Sequence, residues 1–149
     1  MKIKYIVLLI ILLISLGGCF KHIDDTNGDD DYTIETFSDA DITKSSSSYV
    51  MYGSTTTSMN SKTEFKVQKF SGIRTLETVK ASNETIIFNF DSQCISGNLR
   101  IVIVQGEEII KDVNINGQST VTIENANGTY ILKVVGESAK FKLEYSIEK

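Results

Sequence analysis

The stretch Lys140-Phe141-Lys142-Leu143-Glu144-Tyr145-Ser146-Ile147-Glu148 alternates polar and apolar residues without a break. A β-strand sends successive side chains to opposite faces, so Phe141, Leu143, Tyr145 and Ile147 are expected on a core face. Lys140, Lys142, Glu144, Ser146 and Glu148 then face water. The same period of two recurs at Tyr130, Leu132 and Val134, at Val121 and Ile123, at Ile86, Phe88 and Phe90, and at Phe65 and Val67. Leu99 to Val104 is apolar on both faces apart from Arg100, the pattern of a central strand covered on both sides.

Turn-forming residues punctuate these runs: Ser71-Gly72, Ala81-Ser82-Asn83, Gly97-Asn98, Gln105-Gly106-Glu107, Asn116-Gly117, Asn127-Gly128 and Gly136. Asn-Gly reads as a hairpin turn because both residues tolerate positive φ. The punctuation yields about eight or nine short strands and almost no helix, which predicts an all-β fold, an antiparallel β-sandwich. Helices alternating with strands are missing, and with them the cofactor crevice of doubly wound sheets. The polar stretches Ser45 to Ser48 and Ser54 to Ser58 flank the apolar island Tyr49-Val50-Met51-Tyr52. They read as loops on either side of a short edge strand. The spacing of Ile34, Phe37 and Ala40 permits one or two helical turns between Thr33 and Lys44.

At the N-terminus Lys2 and Lys4 precede an apolar run from Tyr5 to Ile14, after which Ser15-Leu16-Gly17-Gly18-Cys19 changes the chain to small residues. The run is half of the ~20 residues a membrane-spanning helix needs, and its flanks are those of a secretory signal. Leu16-Gly17-Gly18-Cys19 resembles the lipobox of bacterial lipoproteins. The resemblance implies cleavage between Gly18 and Cys19 and a diacylglycerol thioether on Cys19. It also implies a place on the extracytoplasmic face of the cell membrane, held by the lipid anchor. Two buried acyl chains hold a protein where one would hold it only marginally. The expected organisation is a signal peptide over 1–18, a lipid-anchored acidic tether over 19–44 and a β-sandwich domain over 45–149. The stretch Gly128 to Gly136, with Phe141, Leu143 and Tyr145 beyond it, resembles the closing hairpin of secreted bacterial β-sandwich modules, jelly-roll or immunoglobulin-like. That resemblance implies a fold and no particular function.

Without the signal the chain carries 13 Lys and Arg against 19 Asp and Glu. This acidic balance, with no basic stripe, excludes nucleic acid as a partner. With Cys19 lipidated, Cys94 is the only remaining thiol, so no intramolecular disulfide is expected. The single histidine, His22, lies in the tether, which leaves no His-dependent triad, and no phosphate-binding glycine loop or Cys-x-x-Cys pair occurs. Asp25, Asn27, Asp29 and Asp31 stand at the first, third, fifth and seventh positions of an EF-hand-like calcium loop. Asp30 occupies the position that requires glycine, however, and Thr36 the position that requires a bidentate glutamate. The segment therefore reads as a solvated acidic linker, and neither a metal nor a cofactor is expected. Cys94, with no basic neighbour in sequence, reads as an inert thiol.

Tyr49 and Tyr52 lie in an otherwise polar stretch near an edge, so they are the candidate exposed aromatic pair for a protein or glycan ligand. The alternative is that they close the end of the core. Three functional classes follow: a non-catalytic binding or interaction module, a structural envelope component, and a small carboxylate-dependent hydrolase. Asp91 and Glu107-Glu108 are the acidic residues considered for the last.

Overall fold

The computed structural model describes residues 37–44 and 47–149. Gly18, Cys19 and the acidic run containing Asp25, Asn27 and Asp29 lie outside the described residues. The elements are a short helix α1 (Asp39–Thr43) and four strands, β1 (Ser48–Met59), β2 (Lys62–Gln105), β3 (Glu108–Val113) and β4 (Gly117–Glu148). All strand pairing is antiparallel, with β1, β3 and β4 each pairing with β2.

The expectation of eight or nine short strands is corrected to four, two of them very long. Most residues read as chain reversals lie inside continuous ladders. Gly72, Asn83, Gly97 and Gly128 all have positive φ, and the β2/β4 register shifts at Phe70/Gly72, Ser82/Glu84 and Ser96/Asn98. A single positive-φ residue bends a strand or inserts a bulge, while its neighbours go on pairing. Asn116-Gly117 and Asn127-Gly128 are likewise not hairpin turns. The first links β3 to β4, which both pair with β2, and the second is paired with Ala81 and Ser82 inside β4. The tight reversals lie elsewhere. Asn60 and Ser61, at φ 52° and 63°, join β1 to β2 with the two consecutive positive-φ residues that a type I′ hairpin requires. Gly106-Glu107 joins β2 to β3, as expected from the sequence.

The register explains how two strands build most of the sheet. Residues 130–146 of β4 lie between two stretches of β2, with Phe65 opposite Leu143 on one edge and Ser92 opposite Leu143 on the other. The predicted alternation holds: Phe141, Leu143 and Tyr145 are buried while Lys142 and Glu148 are exposed. The larger core cluster gathers Phe65, Phe70, Phe88, Phe90, Leu99, Ile101, Ile103, Leu132, Phe141 and Leu143. Phe65 and Phe70 meet the ring of Phe141 edge-on at 5.5 and 6.0 Å.

Leu99 to Val104 is covered on both faces as its composition indicated. Leu99, Ile101 and Ile103 enter the larger cluster, while Val102 and Val104 join a smaller one with Ile73, Val135 and Ile42 of α1. Residues 37–44, at the end of the expected tether, thus contribute to the packed structure. Ser38 caps α1 in a reciprocal arrangement with Asp41, whose carboxyl is held at about 2 by hydrogen bonds from Ser38 and Lys44. Two cations fasten the helix to the sheet. Arg100 grips Asp112 of β3 through two bonds of 2.6 and 3.1 Å and reaches Asp39 at 2.7 Å. Lys133, fully buried, donates to the carbonyls of Ile42 (2.6 Å) and Lys44, satisfying acceptors that the helix end leaves open. Burial pushes the Lys133 ammonium below its ordinary range.

Ser92 is buried beside Leu143, and its Oγ has no hydrogen-bond partner among the described residues. Removing an unsatisfied hydroxyl from a core removes a desolvation cost. Ser92→Ala is therefore expected to hold or raise stability by up to about 1 kcal/mol, read from the urea midpoint.

Candidate functional site

Strand β1 is an edge strand, and Ser54 to Ser58 belongs to it. Those residues, read as a loop from their composition, pair regularly with Thr63 to Val67. Threonine suits a half-solvated edge, and the ladder supplies the order that a serine-rich sequence does not advertise. Tyr49 and Tyr52 are both on β1, but three positions apart in a strand sends them to opposite faces. They do not form one aromatic platform. Tyr52 is 76% exposed and Val50 77%, whereas Tyr49 is 42% exposed and leans on Phe70 with ring centroids 5.8 Å apart. Tyr49 therefore does both things that composition allowed: it covers the core and presents surface.

Beside Tyr49 stands Arg74, a residue the sequence did not single out. Its guanidinium carbon lies 4.6 Å from the ring centre of Phe65 and 5.4 Å from that of Tyr49, and Nη1 donates to the thioether of Met51 at 3.4 Å. The available signal was an arginine two residues before Leu76, on the core-facing parity of a strand.

A cavity of about 410 Å³ opens nearby, lined by Ser61, Thr63, Glu77, Lys80, Tyr145 and Lys149 among others. Thr63 exchanges a hydrogen bond with Ser58 at 3.1 Å. Burial raises the Tyr145 phenol. A hydrogen bond with Thr63 and the charge of Arg74 oppose the rise, and the charge of Glu77 adds to it. Tyr145 thus senses both the Glu77 wall of the cavity and the Arg74 cation. Hydroxyls, one carboxylate and two ammonium groups suit hydrogen bonding to a polar ligand.

The opposite, wet face of the sheet carries a smaller hollow of about 230 Å³ lined by Lys62, Asn89, Asp91, Gln118, Thr120 and Glu144 among others. Asp91 and Glu144 are cross-strand partners here. Glu144 pairs with Lys62 at 2.9 Å, while Glu64 lies 3.0 Å from both Lys66 and Lys142. Those lysines, Lys66 foremost, hold the Glu64 carboxyl below its usual range. A glycosidase acid needs a carboxyl held protonated, the reverse of this shift. Cys94 is half-buried, its Sγ lying 3.6 and 3.5 Å from the carbonyls of Ser96 and Gly97, and burial raises its thiol. A raised thiol is a poor nucleophile at neutral pH. Among the described residues no group of three or more His, Cys, Asp or Glu side chains is placed to hold a metal ion. No helix among them is long and apolar enough to cross a membrane.

No protein-family model matches the chain, and no curated protein matches it.

Proposed function

We propose that this protein is a bacterial lipoprotein, anchored through Cys19 at the extracytoplasmic face of the cell membrane, whose β-domain binds a ligand or partner without converting it. The domain is read as a β-sandwich of jelly-roll or immunoglobulin-like kind. Long strands bent at Gly72, Asn83 and Gly97 would fold their two halves over the larger core cluster. The observation that carries the binding reading is the cavity of about 410 Å³ with its hydroxyl-rich wall, one of whose lining residues, Tyr145, feels the charge of the aromatic-framed Arg74. The ligand would be a protein or glycan segment, with no nucleic acid, metal or cofactor involved. A structural envelope role draws on a different observation, the exposed Val50, Tyr52 and Met59 along β1.

The anchor is tested in cells by metabolic labelling with a fatty acid followed by fractionation. The wild-type chain is expected to carry label and to sediment with membranes. Cys19→Ala is expected to lose the label entirely and to yield an unprocessed precursor or a released domain that folds as before. Unlabelled wild-type protein in the culture fluid would overturn the anchor. Binding is tested with the detergent-solubilised full chain against a panel of glycans and peptides. Failure of every one to bind, with envelope fractions losing integrity when the protein is removed, would favour the structural role.

A further inference from the structure

The chain has two arginines, Arg74 and Arg100, and their surroundings differ in one respect. Each nitrogen of Arg100 donates to a carboxylate: Asp112 takes its fork through two bonds and Asp39 takes a third, which raises its already high pKa. Lys133 and Glu64, buried and half-buried, also meet oxygen or nitrogen partners, Lys133 through two carbonyls and Glu64 through two lysines. Arg74 is half-buried too, yet its one hydrogen bond among the described residues goes to the sulfur of Met51, a weak acceptor. Two aromatic rings lie within 5.4 Å of its central carbon, and neither offers an oxygen or nitrogen acceptor to its remaining N–H groups. A guanidinium framed by two rings, its single hydrogen bond going to a thioether, keeps N–H groups for a planar oxyanion that accepts two parallel bonds.

We propose that Arg74, framed by Tyr49 and Phe65, is the recognition residue for a ligand carboxylate, so that the partner of this domain is a carboxylate-bearing molecule. The inference rests on the binding reading above and names the chemistry of what is bound. A carboxylate suits the site better than a phosphate for reasons of charge. The chain is acidic overall, with a net charge of −4, and Glu77 acts on the same tyrosine as Arg74, so a monoanion meets less repulsion than a dianion. Tyr49, the outer member of the frame, is 42% exposed, which leaves the site reachable.

Having only two arginines makes the test direct. In the full chain, solubilised in detergent and labelled with nitrogen-15, the side-chain Nε–H signals of Arg74 and Arg100 are followed by NMR, Arg74→Lys identifying its own signal by deletion. Benzoate and glucuronate are titrated as carboxylate probes, benzamide and glucose as their neutral counterparts, and inorganic phosphate as the competing anion. The expected result is a saturable shift of the Arg74 signal with both carboxylates, none with the neutral probes, and no matching shift at Arg100. Affinity followed through backbone amides near Tyr49 is expected to fall about tenfold or more in Arg74→Lys, which keeps the charge and loses the fork. Tyr49→Leu, a surface change that retains Arg74, is expected to weaken binding less. Equal, unsaturable movement of both arginines, or saturation by phosphate alone, would overturn the proposal. A neutral glycan that binds while the Arg74 signal stays still would overturn it too, and would leave the binding-module reading standing.

Discussion

Leu143→Asp is expected to unfold the domain, whereas Lys142→Gln, one residue away, is expected to leave the urea midpoint close to that of the wild type. Leu143 is fully buried, and it sits between two segments of β2, opposite Phe65 on one edge and Ser92 on the other. Neither neighbour provides a cation, so an aspartate there is an unpaired charge inside the larger core cluster. Its cost, with the lost leucine packing, is more than about 4 kcal/mol, a large part of the 5 to 15 kcal/mol that holds a typical domain together. Lys142 points to water, where its partner Glu64 keeps a second lysine, Lys66, when the first is removed. Equal midpoints for the two variants would mean that the strand pairs one residue out of register.

The contrast was legible in the sequence because a strand's two faces are written in adjacent residues. The all-β class, the core face of 141–147 and the double cover of 99–104 all came from that short-range code. The strand count did not, because glycine and asparagine report only that the backbone takes positive φ. Whether it then reverses or merely bends depends on a partner far away in sequence. At Gly72 the partners are Tyr49 and Gly136; at Gly128 the partner is Ala81. In each case the ladder continues through the bend. The candidate site was half legible for the same reason. Tyr49 stood out as an aromatic in polar surroundings, but the frame around Arg74 needs Phe65 from nine residues before it and Tyr49 from the neighbouring strand. The clip on α1 was beyond reach altogether, since Lys133 lies some ninety residues from the carbonyls it satisfies.

Gly72→Ala is expected to be strongly destabilising for so small a substitution. Gly72 has φ +120°, a conformation closed to residues with a side chain, and it is flanked on both edges, by Tyr49 of β1 and by Gly136 of β4. An added methyl would overlap the Ser48 carbonyl oxygen and come within 2.6 Å of the Tyr49 Cα. Neither is the tip of a flexible side chain, so relief requires either a change of backbone conformation at the bend or separation of β1 from β2. Strained backbone alone costs about 1 to 3 kcal/mol, and the overlap adds to it, giving about 3 kcal/mol or more. The two routes of relief are distinguishable. If β1 peels away, amide exchange accelerates along 48–59 while the ladder between Phe65 and Leu143 stays protected. If the bend itself gives way, protection falls across β2 and β4 together, because both edges of the sheet run through it. A midpoint within about 0.5 kcal/mol of wild type, with β1 still protected, would contradict the closed conformation at Gly72 and with it the continuous, bent β2 on which the architecture depends.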